Sequence, residues 1–229
     1  MSALKMIVIT AHPDDEISSA GTIAKFTQAG HEAVLVVATN GDKGTHDRNI
    51  RPEQISNIRK QEMEQAAAVL GIRKVIWLGY SDGTLEVSPS LKERVFRTIR
   101  QERPDILLTF DPWKRWDLHS DHRTIGLVAT EAAYLANGCW YYPEHLAEGI
   151  EPHETREIYL FSSDEPNYQV DVQTTFDLKM RAAGCHRSQG LQYETFAEKY
   201  LAWMTSMGKQ KADLQQESFR KLNRSDLLL

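Results

Sequence analysis

Met6-Ile7-Val8-Ile9-Thr10-Ala11 runs directly into His12-Pro13-Asp14-Asp15-Glu16. The apolar run reads as a strand buried on both faces, the pattern of a parallel sheet. Pro13 has no amide proton for a ladder, so the strand ends there. Three carboxyls and an imidazole are left together at its carboxyl end. Carboxylates packed that closely repel one another, and a divalent cation removes the cost. His12 and Asp15 offer a nitrogen and an oxygen, a donor pair that suits zinc. Asp14 is left over, close by and free to act as a base. Read alone, the pentapeptide is also compatible with a polar turn in which an Asp caps the next helix.

Outward from this stretch, strands and helices alternate. A helix over 17–29 closes at Gly30, and a second buried strand covers 33–38. Thr39-Asn40-Gly41-Asp42-Lys43-Gly44 then reads as a polar loop. It lacks the Gly-Lys-Ser/Thr ending of a phosphate loop. Helices over 52–70 and 90–102 flank a strand over 74–78, and a fourth strand covers 105–110. A helix over 124–136 follows, then strands over 157–161 and 168–172, and a helix over 174–186. From about 190 the chain reads as a polar, largely helical tail. The fold class is α/β: a Rossmann-like parallel sheet of about five to six strands with helices on both faces. A core order of 3-2-1-4-5 makes the first and fourth strands neighbours at the switch point where such sheets bind ligands. No repeat or linker appears, so residues 1–229 read as a single domain.

The fourth strand ends in Asp111-Pro112, and His119-Ser120-Asp121-His122 follows within a few residues. With a helix starting near Ser120, one of these imidazoles ligates while the other faces a substrate. The assignment is His12, Asp15 and His122 as ligands of one Zn2+, with a fourth position open, the pattern of a catalytic site. The alternative for the second cluster alone is a helix cap with solvated histidines. Fe, Mn or Co would also suit this donor set.

A strand followed by H-P-D-D-E, a T-N-G-x-x-G loop and a later H-x-D-H resemble the LmbE-like, or PIG-L, family of zinc-dependent N-acetyl sugar deacetylases. The resemblance covers about residues 5–190. It implies a Rossmann-like fold and zinc on His12, Asp15 and His122. It makes Asp14 the general base, His119 the general acid or an electrostatic stabiliser, and Asp121 the residue that orients a neighbouring imidazole. Ser120 stands where members usually carry proline. The implied reaction removes the acetyl group from an N-acetylglucosamine-type amino sugar, releasing acetate and a free amine. Arg59 matches a family position in an R-x-x-E helix that reaches toward substrate; its structural alternative is an ion pair with Glu62. Asp111 and the Trp113/Trp116 pair suit contact with a sugar. Tyr80 and Asp82 are weaker candidates of that kind. His186, in Cys185-His186-Arg187-Ser188-Gln189, resembles a late family motif and is expected at the pocket rim; its alternative is a cation at a helix end.

Two other functions compete. One is a non-catalytic nucleotide-sugar binding module, although no G-x-G-x-x-G follows the first strand. The other is a zinc amidase acting on a non-sugar or thiol-conjugate amide of the bacillithiol or mycothiol type.

Composition bounds the rest. The 41% hydrophobic and 26% charged residues are ordinary for a soluble domain. A formal charge of -5 disfavours nucleic acid and anionic membrane as partners. Cys139 and Cys185 offer no disulfide framework and fit a reducing compartment. No apolar stretch approaches the ~18 residues that span a membrane. Met1 to Lys5 leave no room for a signal peptide, so the expected location is cytoplasmic. Trp140-Tyr141-Tyr142 leaves a homo-oligomer contact open.

Overall fold

The first strand, β1 (Lys5–Thr10), is buried along all but its first residue. It lies in parallel register between β2 (Glu32–Thr39) and β4 (Ile106–Phe110). The computed structural model describes residues 3–191, 200, 202, 205–206, 215–223 and 225. Its other strands are β3 (Lys74–Tyr80), β5 (Glu157–Phe161), β6 (Tyr168–Asp171) and β7 (Gln216–Asn223). The sheet runs β3-β2-β1-β4-β5-β7-β6, so the core order is 3-2-1-4-5. β1 and β4 are neighbours, and the carboxyl ends of both strands open on one crevice, the switch point of a doubly wound sheet.

The α-helices include α1 (Ala20–Gln28), α2 (Pro52–Val69), α3 (Pro89–Glu102), α4 (Ser120–Leu135), α5 (Glu144–Ala147) and α6 (Phe176–Ala183). α1, α2 and α6 pack together, while α3 and α4 form a second pair with α4 against β4 and β1. The chain changes sheet face at the β3-to-β4 crossover, as right-handed connections require when strand order reverses. Ile7, Val8, Leu35, Leu107, Val128 and Ala129 are sealed in the core between these layers.

Three elements depart from the sequence reading. The helix expected over 17–29 begins only at Ala20, because Asp15–Ser19 winds as a 3-10 turn. The helix spanned as 124–136 begins at Ser120, the start that the reading of the second histidine motif assumes, and there the His119 side chain accepts the Asp121 amide as its cap. The tail is not wholly helical: 216–223 is β7, antiparallel to both β5 and β6. Its charged residues, Glu217, Arg220 and Lys221, hide a two-residue alternation in which Glu217 and Phe219 are buried. The helical expectation for 190–214 falls largely outside the described residues.

β7 also reaches back to the first motif. Glu217 accepts the Gly21 amide (2.9 Å) and the Thr22 amide (2.8 Å), the unpaired donors at the start of α1, while Lys179 Nζ sits 2.7 Å from the same carboxylate. Among the described residues, no helix is long and apolar enough to cross a membrane.

Candidate metal-dependent active site

Beyond β1 the chain turns sharply on its own side chain. Asp15 Oδ2 accepts the Ala11 amide at 3.0 Å and the His12 amide at 2.6 Å. Asp15 Oδ1 is left facing His122 Nε2 at 3.6 Å. Between these anchors Asp14 adopts φ 129° and ψ −15°, which side-chain-bearing residues rarely occupy. β4 delivers the second half of the site. Phe110, its last residue, stacks on the His122 ring with centroids 4.1 Å apart and planes at 10°.

Hydrogen-bond partners decide which nitrogens are free. His12 Nε2 lies 3.1 Å from Asp121 Oδ2 and 3.2 Å from Asp82 Oδ1, so this nitrogen carries the proton and donates. His122 Nδ1 lies 3.1 Å from Asp117 Oδ2 and donates there. The lone pairs of His12 Nδ1 and His122 Nε2 are therefore left facing each other at 3.3 Å, beside Asp15. Two imidazoles and a carboxylate converge, and each ring is locked by a further carboxylate, the arrangement that orients histidine ligands in metalloproteins. His12, His119 and His122 also cluster within 4.8 Å, as do His12, Asp82, His119 and Asp121. In both of these sets His119 has spent Nδ1 on the Asp121 amide (3.3 Å), and the His12 nitrogen that faces Asp82 and Asp121 is the one that donates. The convergence of His12, Asp15 and His122 leaves more lone pairs free.

Electrostatics points the same way. Burial works against a charged His12, yet hydrogen bonds to Asp121, Asp15 and Asp82 outweigh it and push the imidazole up to about 12. Three carboxylates around one ring favour a positive charge there, carried either as a second ring proton on Nδ1 or, in place of that proton, by a metal ion on the Nδ1 lone pair. The residues present thus fit a single divalent metal ion. Desolvation and the neighbouring Asp15 charge push Asp14 up to about 7, against the opposing pull of Arg59. Burial and the adjacent His12 and His122 rings lower His119.

The predicted residues divide into those at the cluster and those behind or beside it. Asp14 and His119 lie at it, with the His119 ring 4.4 Å from His12. Asp121 is fully buried behind it, with Gly83 and Leu85 amides on its carboxylate, and the imidazole it orients is His12. Arg59 is not paired with Glu62. It is buried, donates to the carbonyls of Pro13 (2.7 Å) and Gly41 (3.2 Å), and sits 3.2 Å from Asp14. This explains part of the glycine loop. Gly41 has φ +59°, and a Cβ there would come within 2.6 Å of the Arg59 guanidinium. Glu62 instead accepts the amide and hydroxyl of Ser188.

Asp111 spends Oδ1 on the Trp113 amide and, with Trp113, Arg115, Trp116 and Arg220, lines a cleft of about 720 Å3 at the ends of β4 and β5. Trp116 is 76% exposed there. Tyr80 lies under Arg94. His186 corrects the sequence reading: it is completely buried, not at a rim, and its Nε2 is 2.7 Å from Oε1 of the equally buried Glu16. The expectation failed because a polar motif at a helix end gives no sign of which buried acid awaits it. Asp117, bonded to His122, carries no signal in the sequence beyond its spacing of five before that histidine. Asp82 reads as a solvated loop aspartate until the fold sets it on His12.

A Rossmann-like sheet with this cluster at its switch point defines a metal-dependent hydrolase. The chain belongs to the PIG-L family, whose model, described as GlcNAc-PI de-N-acetylase, matches residues 7–133. It is 33% identical over 186 residues to the diacetylchitobiose deacetylase of Thermococcus kodakarensis, covering 81% of this chain and 70% of that protein. It is 29% identical over 193 residues to the probable N-acetyl-alpha-D-glucosaminyl L-malate deacetylase 2 of Bacillus cereus, covering 80% and 83%. Among solved structures, the N,N'-diacetylchitobiose deacetylase of Pyrococcus horikoshii with its inhibitor MPG superposes with a TM-score of 0.88 at 30% identity, over 99% of this chain and 86% of that one.

Proposed function

We propose that this chain is a zinc-dependent N-deacetylase that hydrolyses the acetamido group of an N-acetylglucosamine-type sugar to acetate and a free amine. The observation that carries the reading is the convergence of His12 Nδ1, His122 Nε2 and Asp15, with each imidazole fixed through its other nitrogen. These three residues would hold the zinc. When bound, the ion supplies Lewis acidity, acidifying water and polarising an amide carbonyl.

Asp14 takes the proton of the attacking water. Burial and the Asp15 charge raise this carboxyl above the usual carboxylate range, which suits it both to receive that proton and to pass it to the departing nitrogen. His119 accepts the Asp121 amide through Nδ1, so its proton resides on Nε2. Its lowered pKa favours a neutral ring, which supports the stabiliser role: Nε2–H donates to the oxygen on which charge develops. Asp121 and Asp117 orient the ligating rings. Arg59 holds Asp14 and the glycine loop, and Asp111 and Trp116 receive the rest of the sugar in the adjoining cleft, where an aromatic face suits a pyranose. Both cysteines are free, which supports a cytoplasmic setting.

The test is a panel of N-acetylated amino sugars and their glycosides, incubated with zinc-loaded protein and assayed for free primary amine. Release by the wild type and none by Asp14→Asn supports the assignment. Zinc binding with silence across the panel redirects the reading to a non-sugar amide.

A further inference from the structure

Asp14 holds its unusual backbone conformation between two grips. On its amino side, the Pro13 carbonyl is held by Arg59 at 2.7 Å. On its carboxyl side, the Glu16 side chain is drawn inward and bonded to His186 at 2.7 Å. Both members of this pair are fully buried, and His186 lies 170 residues further along the chain, just after α6. Among the described residues neither Glu16 Oε2 nor His186 Nδ1 has a partner. A buried, incompletely bonded ion pair is a poor device for stability, and apolar side chains would fill the space as well. What an apolar pair could not do is fix the residue two positions after Asp14 in one orientation.

We infer that Glu16 and His186 are positioning residues for Asp14: the buried pair anchors the carboxyl side of the H-P-D-D-E turn and so holds the Asp14 carboxyl where it meets the attacking water. The inference rests on the reading of Asp14 as proton acceptor. A constraint two residues away is enough, because the turn between Asp14 and Glu16 is already closed by the Asp15 side chain on the Ala11 and His12 amides. The strained conformation persists only if its surroundings over-determine it. Arg59 and Asp15 supply two of those constraints, and the Glu16–His186 pair supplies the third.

The test replaces both partners together, Glu16→Met with His186→Phe, so that no lone buried charge remains. The expected result is a folded protein with one zinc per chain, an unchanged KM and a kcat lower by about ten-fold or more. His186→Gln, which still offers Glu16 a donor, recovers part of that loss. A second readout needs no activity. With a strained Asp14, the Asp14→Gly variant melts at a higher temperature than Asp14→Ala, and that difference disappears in the Glu16→Met/His186→Phe background. If the double background does not fold, Glu16→Gln, which keeps an acceptor for His186 but no charge, carries both comparisons, with a smaller fall in kcat at unchanged KM and a smaller glycine-over-alanine difference expected. An unchanged kcat, or an unchanged glycine-over-alanine difference, overturns the inference. If the wild type hydrolyses no acetamido sugar, the proposed function fails, while the melting comparison still decides whether the pair positions Asp14.

Discussion

Asp14 concentrates the chemistry of the molecule in one residue: a desolvated carboxyl, a strained backbone and an arginine at 3.2 Å. A positive φ on a residue with a side chain costs about 1–3 kcal/mol. Glycine ordinarily costs ~0.5–1 kcal/mol more than alanine. At position 14 the order reverses: Asp14→Gly unfolds at higher urea than Asp14→Ala, since both lose the carboxylate and only one keeps the strain. The pH dependence follows from the same residue. Enclosure and Asp15 raise Asp14 to about 7, and a cation at the neighbouring ligands favours the carboxylate. The acid limb of kcat/KM in the zinc-loaded protein therefore lies below pH 7, and a limb above it would contradict Asp14 as the base. Asp117 is the residue the sequence concealed. Asp117→Ala frees the His122 ring and lowers zinc affinity by about 10–100-fold, measured by chelator competition, while Asp117→Asn loses less. His12, Asp15 and His122 were legible because metal-binding residue types cluster at strand ends. Asp117, Asp82 and the Glu16–His186 pair were not, because their partners are chosen by tertiary packing.

Among the elements, β7 and α4 set the precision of the site. β7 carries Glu217 to the first turn of α1, directly after the H-P-D-D-E turn, where it is bonded by Lys179 and two amides. Glu217→Ala leaves Lys179 buried and unpaired. The expected cost is about 3–5 kcal/mol in urea unfolding, with Glu217→Gln intermediate. A loss below 1 kcal/mol in Glu217→Ala would show the cap to be dispensable. α4 bears His122 and is capped by His119, and it presses on β4 through Gly126, where a Cβ would meet the Phe110 carbonyl at 2.7 Å. Gly126→Ala therefore moves the helix outward, costs about 1–3 kcal/mol and weakens zinc binding with it. The parallel strands were readable because their apolar runs are continuous. β7 was not, because its register against β5 and β6, rather than its composition, makes it a strand.

At the scale of the whole molecule, the topology joins motifs that lie far apart in the chain. The reversal of strand order places β1 beside β4, and the carboxylates of the first motif meet the imidazoles of the second in the crevice above them. The fold supplies that meeting place, and the reaction depends on the side chains that occupy it. On the proposed function, the cleft at the ends of β4 and β5, with its exposed tryptophans, acids and arginines, receives the sugar beyond the acetamido group. The most direct measurement strips the protein of metal and titrates zinc back while following amine release from an N-acetylglucosamine glycoside. Release is expected to return in proportion to zinc, to saturate at one ion per chain and to stay absent in Asp14→Asn at equal zinc occupancy. Equal release by Asp14→Asn, or full release from the stripped protein, would rule out a zinc-dependent reaction with Asp14 as its base.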